Sequence, residues 1–320
     1  MLIDFHSHLF PDAIASRAVS SLVAGTQRVE GRELLPRGEA TEEGILAAMA
    51  RECVPLSVIM PIVTRPSQFD SILSFAERLN RQNREKLAAC QRAFAGLTAV
   101  YTAAEESLTV KRELCRPSQA EQAFYDSLGG GTLLSFASVH PDDEKALDQL
   151  ERIAERGFRG IKLHPEFQHF EISSPRAIAI LKKAEALGLY TVIHAGRDIG
   201  FPPPVHGAPA SIAHALDYIS GERLICAHLG GFRMWEDVQK YLVGKPILLD
   251  TAYLGLFDGE PAREAYRAII RAHGAQKILF GSDYPWKSAR EVSALLLSLG
   301  LSGEELDKIL FFNAARLLFS

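Results

Sequence analysis

Short apolar runs alternate with amphipathic stretches along most of this 320-residue chain. The alternation is typical of βα units, in which strands buried on both faces of a parallel sheet are followed by helices that cover the sheet. The spacing of apolar residues indicates a helix after each strand. Eight runs have the length and composition of such strands: residues 2–5, 56–62, 133–139, 160–163, 190–193, 224–227, 247–250 and 278–280.

Eight βα units in one chain predict an α/β fold of the (β/α)₈ TIM-barrel type, because a closed sheet leaves no strand edge unpaired. The competing architecture is an open, doubly wound sheet. That fold usually carries a glycine-rich first turn, whereas here the first run leads into His6-Ser7-His8. No repeat and no linker-like segment divides the chain, so we expect residues 1–320 to form a single domain.

Two segments exceed a minimal barrel, which takes roughly 250 residues. Residues 9–51 separate the first two strands, and residues 86–131 precede the third strand, with helical stretches predicted around residues 103–114 and 119–128. Long insertions in a compact domain are commonly functional. We therefore expect these two insertions to determine specificity, by covering a pocket or by pairing subunits in a homodimer.

Charge and cysteine content exclude several classes of protein. The 35 Lys+Arg and 39 Asp+Glu give a net charge of −4, without the basic stripe that nucleic-acid binding requires. No apolar run approaches the ~20 residues of a membrane span, and no basic leader precedes Asp4. The four cysteines form no C-x-x-C pair, which argues against a cysteine-based zinc site and against a redox motif. We expect a cytoplasmic protein that binds a small molecule, and neither nucleic acid nor a membrane.

Titratable side chains follow several of the predicted strands at the point where each strand ends. The carboxyl ends of barrel strands meet at one mouth, where the catalytic residues of such barrels lie. We therefore expect these dispersed residues to converge in space, although any one of them alone is equally typical of a hydrogen-bonded core histidine. They are His6 and His8 after the first run, His164 after the fourth, His194 after the fifth, His228 after the sixth and Asp283 after the eighth.

The spacing of His6 and His8 has a direct physical reason. Side chains at positions i and i+2 of a strand point to the same face, so both imidazoles can reach one ion. His194 and Asp283 would add a nitrogen and a carboxylate, and this combination suits Zn²⁺ or a similar divalent metal. The sequence therefore predicts a metal site at the mouth of the barrel.

Six segments together resemble the metal-dependent TIM-barrel hydrolases of the amidohydrolase superfamily, and within it the branch that includes aminocarboxymuconate-semialdehyde decarboxylase and related carboxy-lyases. The resemblance covers nearly the whole chain except the two insertions. It is specific for the superfamily and does not define a substrate. The segments are DFHSH (4–8), GIKLHP (160–165), VIHAG (192–196), AHLGG (227–231), GSDYPW (281–286) and NAARLL (313–318).

The resemblance implies roles for individual residues. His6, His8, His194 and Asp283 would bind the metal, with Zn²⁺ expected and Mn²⁺ as the alternative. Asp283 and His228 would be catalytic. Lys162 would be a carbamylated bridge between two ions, an anchor for a substrate carboxylate, or a surface or salt-bridged lysine. The residues expected to bind substrate are Lys162, His164, Glu166, Arg197, His206 and Trp286.

Three functions are compatible with these residues. The leading prediction is a hydrolase that uses a metal-activated water on a small, carboxylate-bearing or cyclic substrate. In it Asp283 transfers protons, while His228 orients the water or stabilises the oxyanion. The alternative is a metal-dependent decarboxylase on the same scaffold. A barrel that only binds a ligand is the third, and the presence of all four expected metal ligands argues against it.

Overall fold

The fold is given by a computed structural model, which describes residues 1–103, 119–255 and 258–319. The strands are β1 (Ile3–Ser7), β2 (Leu56–Ile59), β3 (Thr132–Ser135), β4 (Gly160–Leu163), β5 (Tyr190–Ile193), β6 (Leu224–Cys226), β7 (Leu248–Asp250) and β8 (Ile278–Leu279). The helices are α1 (Asp12–Glu30), α2 (Glu42–Glu52), α3 (Phe69–Gln82), α4 (Arg84–Ala103), α5 (Gln119–Ser127), α6 (Ala146–Glu155), α7 (Pro165–Gln168), α8 (Pro175–Ala186), α9 (Pro209–Ala215), α10 (Trp235–Tyr241), α11 (Glu260–His273), α12 (Ala289–Ser298), α13 (Gly303–Asp307) and α14 (Asn313–Phe319). Among these described helices, none combines the length and apolar character needed to cross a bilayer.

The eight strands close into a parallel barrel, as the sequence predicts. Strands β1 to β3 pair in order, and strands β4 to β8 pair in order. Just beyond β3, the Ala137 N–H donates a hydrogen bond to the Gly160 carbonyl at 3.0 Å and joins the two groups. On the other side, the Phe5 N–H donates to the Phe280 carbonyl at 2.8 Å. These bonds make the sheet continuous from β1 around to β8.

The ends of some strands differ from the sequence prediction. Strand β1 extends to Ser7 and so includes His6, whereas β2 and β3 end earlier than the apolar runs do. Beyond β2, the Met60 carbonyl accepts a hydrogen bond from His8 Nδ1, and the Val63 N–H donates to Ser138 Oγ. Backbone groups of the apolar run are therefore used to position side chains at the mouth instead of extending the sheet.

The interior of the barrel is filled by side chains. The rings of Phe5 and Phe136 meet edge to face with centroids 5.7 Å apart, and both rings are fully buried. Next to them, a Cβ at Gly160 would lie 2.5 Å from a ring carbon of Phe136, so only glycine fits at this position. The barrel therefore has a solid core below the mouth.

The second insertion packs at the amino-terminal end of the barrel. Within it, Cys90 Sγ donates a hydrogen bond to Thr132 Oγ1 at the start of β3. The Phe94 ring contacts Phe311 and Phe319 near the end of the chain. The predicted helix at 119–128 is confirmed as α5, while the stretch predicted around 103–114 lies, beyond Ala103, outside the described residues.

Helix α1 of the first insertion lies at the opposite, carboxyl-terminal end, where it lines the cavity at the mouth. Helix α2 of the same insertion packs on the barrel through Ile45 and Met49, and it begins where Thr41 Oγ1 accepts a hydrogen bond from the Gly44 N–H at 3.0 Å. Met49 also lies against Gly131, at the end of the second insertion. Helix α1 and the second insertion therefore lie at opposite ends of the barrel.

A buried carboxylate, Asp4, connects the first strand to the segment that follows the last one. Its Oδ1 accepts hydrogen bonds from the backbone N–H groups of Ser282, at 2.8 Å, and His6. Its Oδ2 accepts from the hydroxyls of Ser7 and Ser282 at 2.9 and 2.5 Å. Burial raises the pKa of Asp4 to about 6, although the hydrogen bonds from Ser282 and Ser7 oppose that shift. This carboxylate fixes the segment that carries His6 relative to the segment that carries Asp283.

We expect Asp4→Asn to lower the free energy of unfolding by about 1–3 kcal/mol, because an amide group replaces one of two oxygens that accept four hydrogen bonds. Denaturant unfolding followed by circular dichroism measures the change. The matched control is Asp148→Asn on the exposed face of α6, which we expect to change stability by less than about 0.5 kcal/mol. Equal effects of the two substitutions would contradict the role given to Asp4.

Candidate metal centre

A cavity of about 630 Å³ opens at the carboxyl-terminal mouth of the barrel. Its floor brings together every titratable residue that the sequence places at the strand ends. Of the residues expected to bind substrate, Lys162, His164, Arg197 and Trp286 also line it, whereas Glu166 and His206 do not. The floor residues are His6, His8, Lys162, His164, His194, His228 and Asp283.

Three of the four predicted metal ligands form one cluster. His6 Nε2 and His8 Nε2 lie 3.2 Å apart, and Asp283 Oδ1 lies 3.2 Å from His8 Nε2 and 3.7 Å from His6 Nε2. All three offer ligand atoms within 4.8 Å of one another. Two imidazole nitrogens and a carboxylate oxygen at this separation are a donor set that Zn²⁺ binds.

Hydrogen bonds at Nδ1 determine which nitrogen of His6 and His8 remains available. His6 Nδ1 lies 2.7 Å from Asp250 Oδ2, and His8 Nδ1 lies 2.9 Å from the Met60 carbonyl. Both partners are acceptors, so the ring proton resides on Nδ1 and the lone pair on Nε2. Burial and the nearby charge of Lys162 also hold the pKa of His6 well below its usual range. The neutral form of His6 is the form that binds a metal.

A relay of two histidines orients His194 in the same way. The Ala252 carbonyl accepts a hydrogen bond from His228 Nδ1 at 2.9 Å, so His228 Nε2 carries a lone pair. That nitrogen lies 2.9 Å from His194 Nδ1, which therefore carries the proton and donates it. His194 Nε2 is buried and has no hydrogen-bond partner in the described part of the chain. A buried nitrogen with a free lone pair fits a metal ligand.

His194 belongs to a second cluster beside the first. Its ring stacks on that of His164 with centroids 4.2 Å apart, and Asp198 Oδ2 lies 3.3 Å from His164 Nε2. His164, His194 and Asp198 also offer ligand atoms within 4.8 Å of one another. Asp198 directly follows Arg197 in the chain, but among the described residues the two form no ion pair, and the Asp198 carboxylate contacts His164 instead.

Lys162 lies deep in the floor, where its side chain is only 1% exposed. Its Nζ lies 3.2 Å from His6 Nε2 and donates to that lone pair. Burial lowers the pKa of Lys162 to about 8, opposed by the carboxylates of Asp250, Asp283 and Asp198. The burial excludes the surface-lysine interpretation. An anchor for an anionic group and a modified metal bridge both remain compatible with this position.

The backbone at the mouth is strained at the residues of the site. His228, Leu229 and Asp283 have φ values of +57°, +55° and +69°, a region that residues other than glycine seldom adopt. Burial would raise the pKa of Asp283, but the neighbouring imidazoles of His8, His6 and His228 hold that pKa well below its usual range. Asp283 is therefore an ionised carboxylate that faces the cavity.

Glu166 and His206 pair with each other outside the cavity lining. Glu166 Oε1 accepts a hydrogen bond from the His206 backbone N–H at 2.7 Å, and Oε2 lies 2.7 Å from His206 Nδ1. Glu166 is buried, so the pair attaches the loop after β5 to the segment after β4. This position gives both residues a structural role. The sequence predicts that they bind substrate, but neither lines the cavity.

Asp250, like Asp198, is a residue of the site that no sequence motif identifies. It is fully buried at the end of β7, and its Oδ1 accepts hydrogen bonds from the N–H groups of His228 and Ala252 at 2.9 and 3.0 Å. Its Oδ2 holds His6. The sequence does contain one indication of its role, because Asp250 lies at the carboxyl end of a predicted strand, as His164 and His194 do.

Comparisons with known proteins agree with this architecture. A family model described as Amidohydrolase matches residues 3–319. No curated protein matches the chain in sequence. Solved structures that are similar in fold over nearly their full length include IDCase from Metarhizium anisopliae, with 15% identity, a TM-score of 0.61 and coverage of 99% of this chain and 97% of that chain. Another is 5-carboxyvanillate decarboxylase from Sphingomonas paucimobilis, with 16% identity, a TM-score of 0.54 and coverage of 99% of this chain and 98% of that chain. A probable 2-pyrone-4,6-dicarboxylic acid hydrolase from Acinetobacter baumannii has 16% identity, a TM-score of 0.55 and coverage of 99% of this chain and 98% of that chain.

We expect Asp250→Asn to weaken Zn²⁺ binding by about 10- to 100-fold, because an amide no longer fixes the proton of His6 on Nδ1. Titration of metal-free protein with Zn²⁺ against a competing chelator measures the affinity. Asp217→Asn, at a carboxylate that is 71% exposed, is the control and leaves the affinity unchanged. Unaltered Zn²⁺ affinity in a folded Asp250→Asn protein would exclude this role.

Proposed function

The chain belongs to the amidohydrolase family and is an enzyme, and on this premise we propose that it hydrolyses a small, carboxylate-bearing or cyclic substrate with the help of one divalent metal. The observation that carries the proposal is the set of imidazoles of His6, His8 and His194, in each of which Nδ1 carries the ring proton and Nε2 the lone pair, with the Asp283 carboxylate beside His6 and His8. The binding-barrel alternative is set aside because the chain is an enzyme.

The residues that would hold the metal are His6, His8, His194 and Asp283. We propose Zn²⁺ as the ion, with Mn²⁺ as the alternative, since neutral imidazoles and one carboxylate suit both. When bound, such an ion lowers the pKa of a coordinated water from 15.7 towards about 7 and polarises a carbonyl group. The remaining chemistry falls to side chains of this chain.

Asp283 manages the proton of the attacking water. Asp283 is ionised and faces the cavity, so its carboxylate accepts that proton and returns it to the leaving group. His228 Nδ1 donates to the Ala252 carbonyl, and His228 Nε2 accepts from His194 Nδ1. In this protonation state His228 therefore positions the ring of His194 and offers no lone pair to the water, in place of the water-orienting role expected from the sequence.

Two cations would bind an acidic group of the substrate. Lys162 carries its ammonium group into the floor beside His6. Arg197 lines the mouth, is exposed, and has no acidic partner within 4 Å among the described residues. A carboxylate at one end of the substrate would pair with one of them, which places the reacting group over the histidines.

Decarboxylation is the second candidate, and a specific finding favours it. Among the structures similar in fold, one is a 5-carboxyvanillate decarboxylase and another is a 2,6-dihydroxybenzoate decarboxylase in complex with 2,6-dihydroxybenzoate. In that reaction His228 or Asp283 would protonate the carbon that loses CO₂. The structure from Acinetobacter baumannii that is described as a probable hydrolase is equally similar, so the products of the reaction must separate the two candidates.

A substrate panel tests the proposed function. We expect Zn²⁺-loaded protein to hydrolyse lactones or amides that carry a carboxylate, without release of CO₂, and to lose this activity with a chelator until Zn²⁺ is restored. The measurements are acid release by pH-stat and CO₂ by a coupled assay. CO₂ release from aromatic or unsaturated acids, without hydrolysis, would establish the decarboxylase instead.

We expect Asp283→Asn to lower kcat/KM by about 10²- to 10⁴-fold while the fold persists, because an amide cannot accept the proton of the attacking water. Circular dichroism confirms the fold, and elemental analysis reports how much metal the variant retains. Near-normal rates in this variant would contradict the assignment of Asp283 as the proton acceptor.

A further inference from the structure

The cavity continues beyond its polar floor into an apolar chamber. We define this chamber by the apolar side chains that three parts of the chain contribute to the cavity lining. The whole cavity, floor and chamber together, measures about 630 Å³, which lies in the range that holds a drug-sized ligand. The chamber residues are Ile14, Ala18 and Leu22 on α1, together with Ile62, Ile72 and Phe75 on the segment after β2 and on α3.

Helix α1 has an apolar stripe that the rest of the described chain covers only in part. Ile14, Ala18 and Leu22 follow one another at four-residue spacing, so they share one helix face. Of the 19 residues in α1, only Ala15 and Thr26 are buried, and none belongs to the two large hydrophobic clusters of the barrel. Ile14 remains 38% exposed. The stripe faces the cavity, so an apolar ligand there would complete its burial.

Helix α3 has one broad apolar face that serves both the barrel and the cavity. Leu73, Ala76 and Leu79 belong to the core. Ile72 and Phe75 lie on the same broad face, are half-buried and line the cavity, and Phe75 also packs against the core. Helix α3 therefore supplies a second apolar part of the cavity wall besides α1.

Charge is restricted to the other side of the cavity. Apart from the histidines, the charged residues that line it in the described part of the chain are Lys162, Arg197, Asp198 and Asp283. All four lie on β4 or on the segments after β5 and β8. The cavity therefore has a charged end with the candidate metal ligands and an uncharged, largely apolar end, to which α1 and α3 also contribute the hydroxyl groups of Ser21, Thr26 and Ser71. A ligand complementary to it has one polar and one apolar end.

We propose that the substrate is an acyl amide or ester whose apolar group, a medium-length alkyl chain or an arylalkyl group, lies in the apolar chamber. This inference rests on the proposed function, since it places the acyl carbon over the histidine floor. Hydrolysis breaks the bond from the acyl carbon to nitrogen or oxygen. The oxygen of water enters the carboxylate product, and its proton passes through Asp283 to the leaving amine or alcohol.

The product carboxylates provide the test, because their binding does not depend on turnover. Isothermal titration of Zn²⁺-loaded protein with straight-chain carboxylates from acetate to octanoate measures affinity against chain length. We expect affinity to rise about fourfold for each added methylene, as burial of that group in an apolar site predicts. The affinity reaches a plateau when the chamber is full.

Substitutions locate the effect in the chamber. We expect Leu22→Asp on α1 to lower the affinity for octanoate about tenfold or more, because a charge replaces an apolar contact, and to leave the affinity for acetate unchanged. Ile72→Asp on α3 has the same expected effect. Ala18→Trp fills the chamber without a charge and moves the plateau to shorter acids. The matched control is Leu147→Asp on α6, at a leucine that is 41% exposed outside the cavity, and it leaves the whole series unchanged.

An affinity that does not change from acetate to octanoate overturns the proposal. A second result also overturns it: sedimentation shows a dimer that Leu22→Asp dissociates, and carboxylate affinity does not depend on chain length. In that case a second copy of the chain covers α1. A clear chain-length dependence in protein that hydrolyses none of the corresponding acyl anilides contradicts the proposed hydrolysis and leaves the apolar chamber as a ligand site. The two failures are therefore distinguishable.

Discussion

Hydrogen bonds to the Nδ1 atoms of the histidines are the constraint on which the site depends. Asp250 holds His6, the Met60 carbonyl holds His8, and the Ala252 carbonyl holds His228, which in turn holds His194. Each bond fixes both the orientation of a ring and the nitrogen that keeps its lone pair. Without them, the rings would exchange protonation states and rotate, and a metal would have to order them on binding. The barrel therefore pre-organises the ligands.

These acceptors are available only because the barrel closes. The Met60 carbonyl becomes free where β2 ends, and the carboxylate of Asp250 lies at the end of β7, which parallel pairing brings level with β6 and β8. Closure between β1 and the segment after β8, supported by Asp4, brings His6 and His8 to Asp283 although these residues are far apart in the chain. The positions of the ligands thus follow from the pairing of strand ends.

The fold and the floor of the site were predictable from the sequence, because both depend on patterns that recur at strand ends. The eight strands and the convergence of His6, His8, His164, His194, His228 and Asp283 all follow from apolar runs and the polar residues after them. Partnerships between side chains were not predictable. The pairing of Asp198 with His164 depends on the path of the loop after β5. Likewise, the sequence does not reveal that helix α1 of the first insertion lies at the mouth and the second insertion at the opposite end, because each could cross either end of the barrel.

The central claim is that the imidazoles of His6, His8 and His194 bind a divalent metal through Nε2. X-ray absorption spectroscopy of Zn²⁺-loaded protein tests it most directly, because multiple scattering from imidazole rings identifies the ligands. The account predicts one tightly bound zinc per chain with about three imidazole nitrogens at about 2.0–2.1 Å and oxygen ligands completing the shell. A zinc surrounded by oxygen alone, or the absence of tightly bound metal, would contradict it.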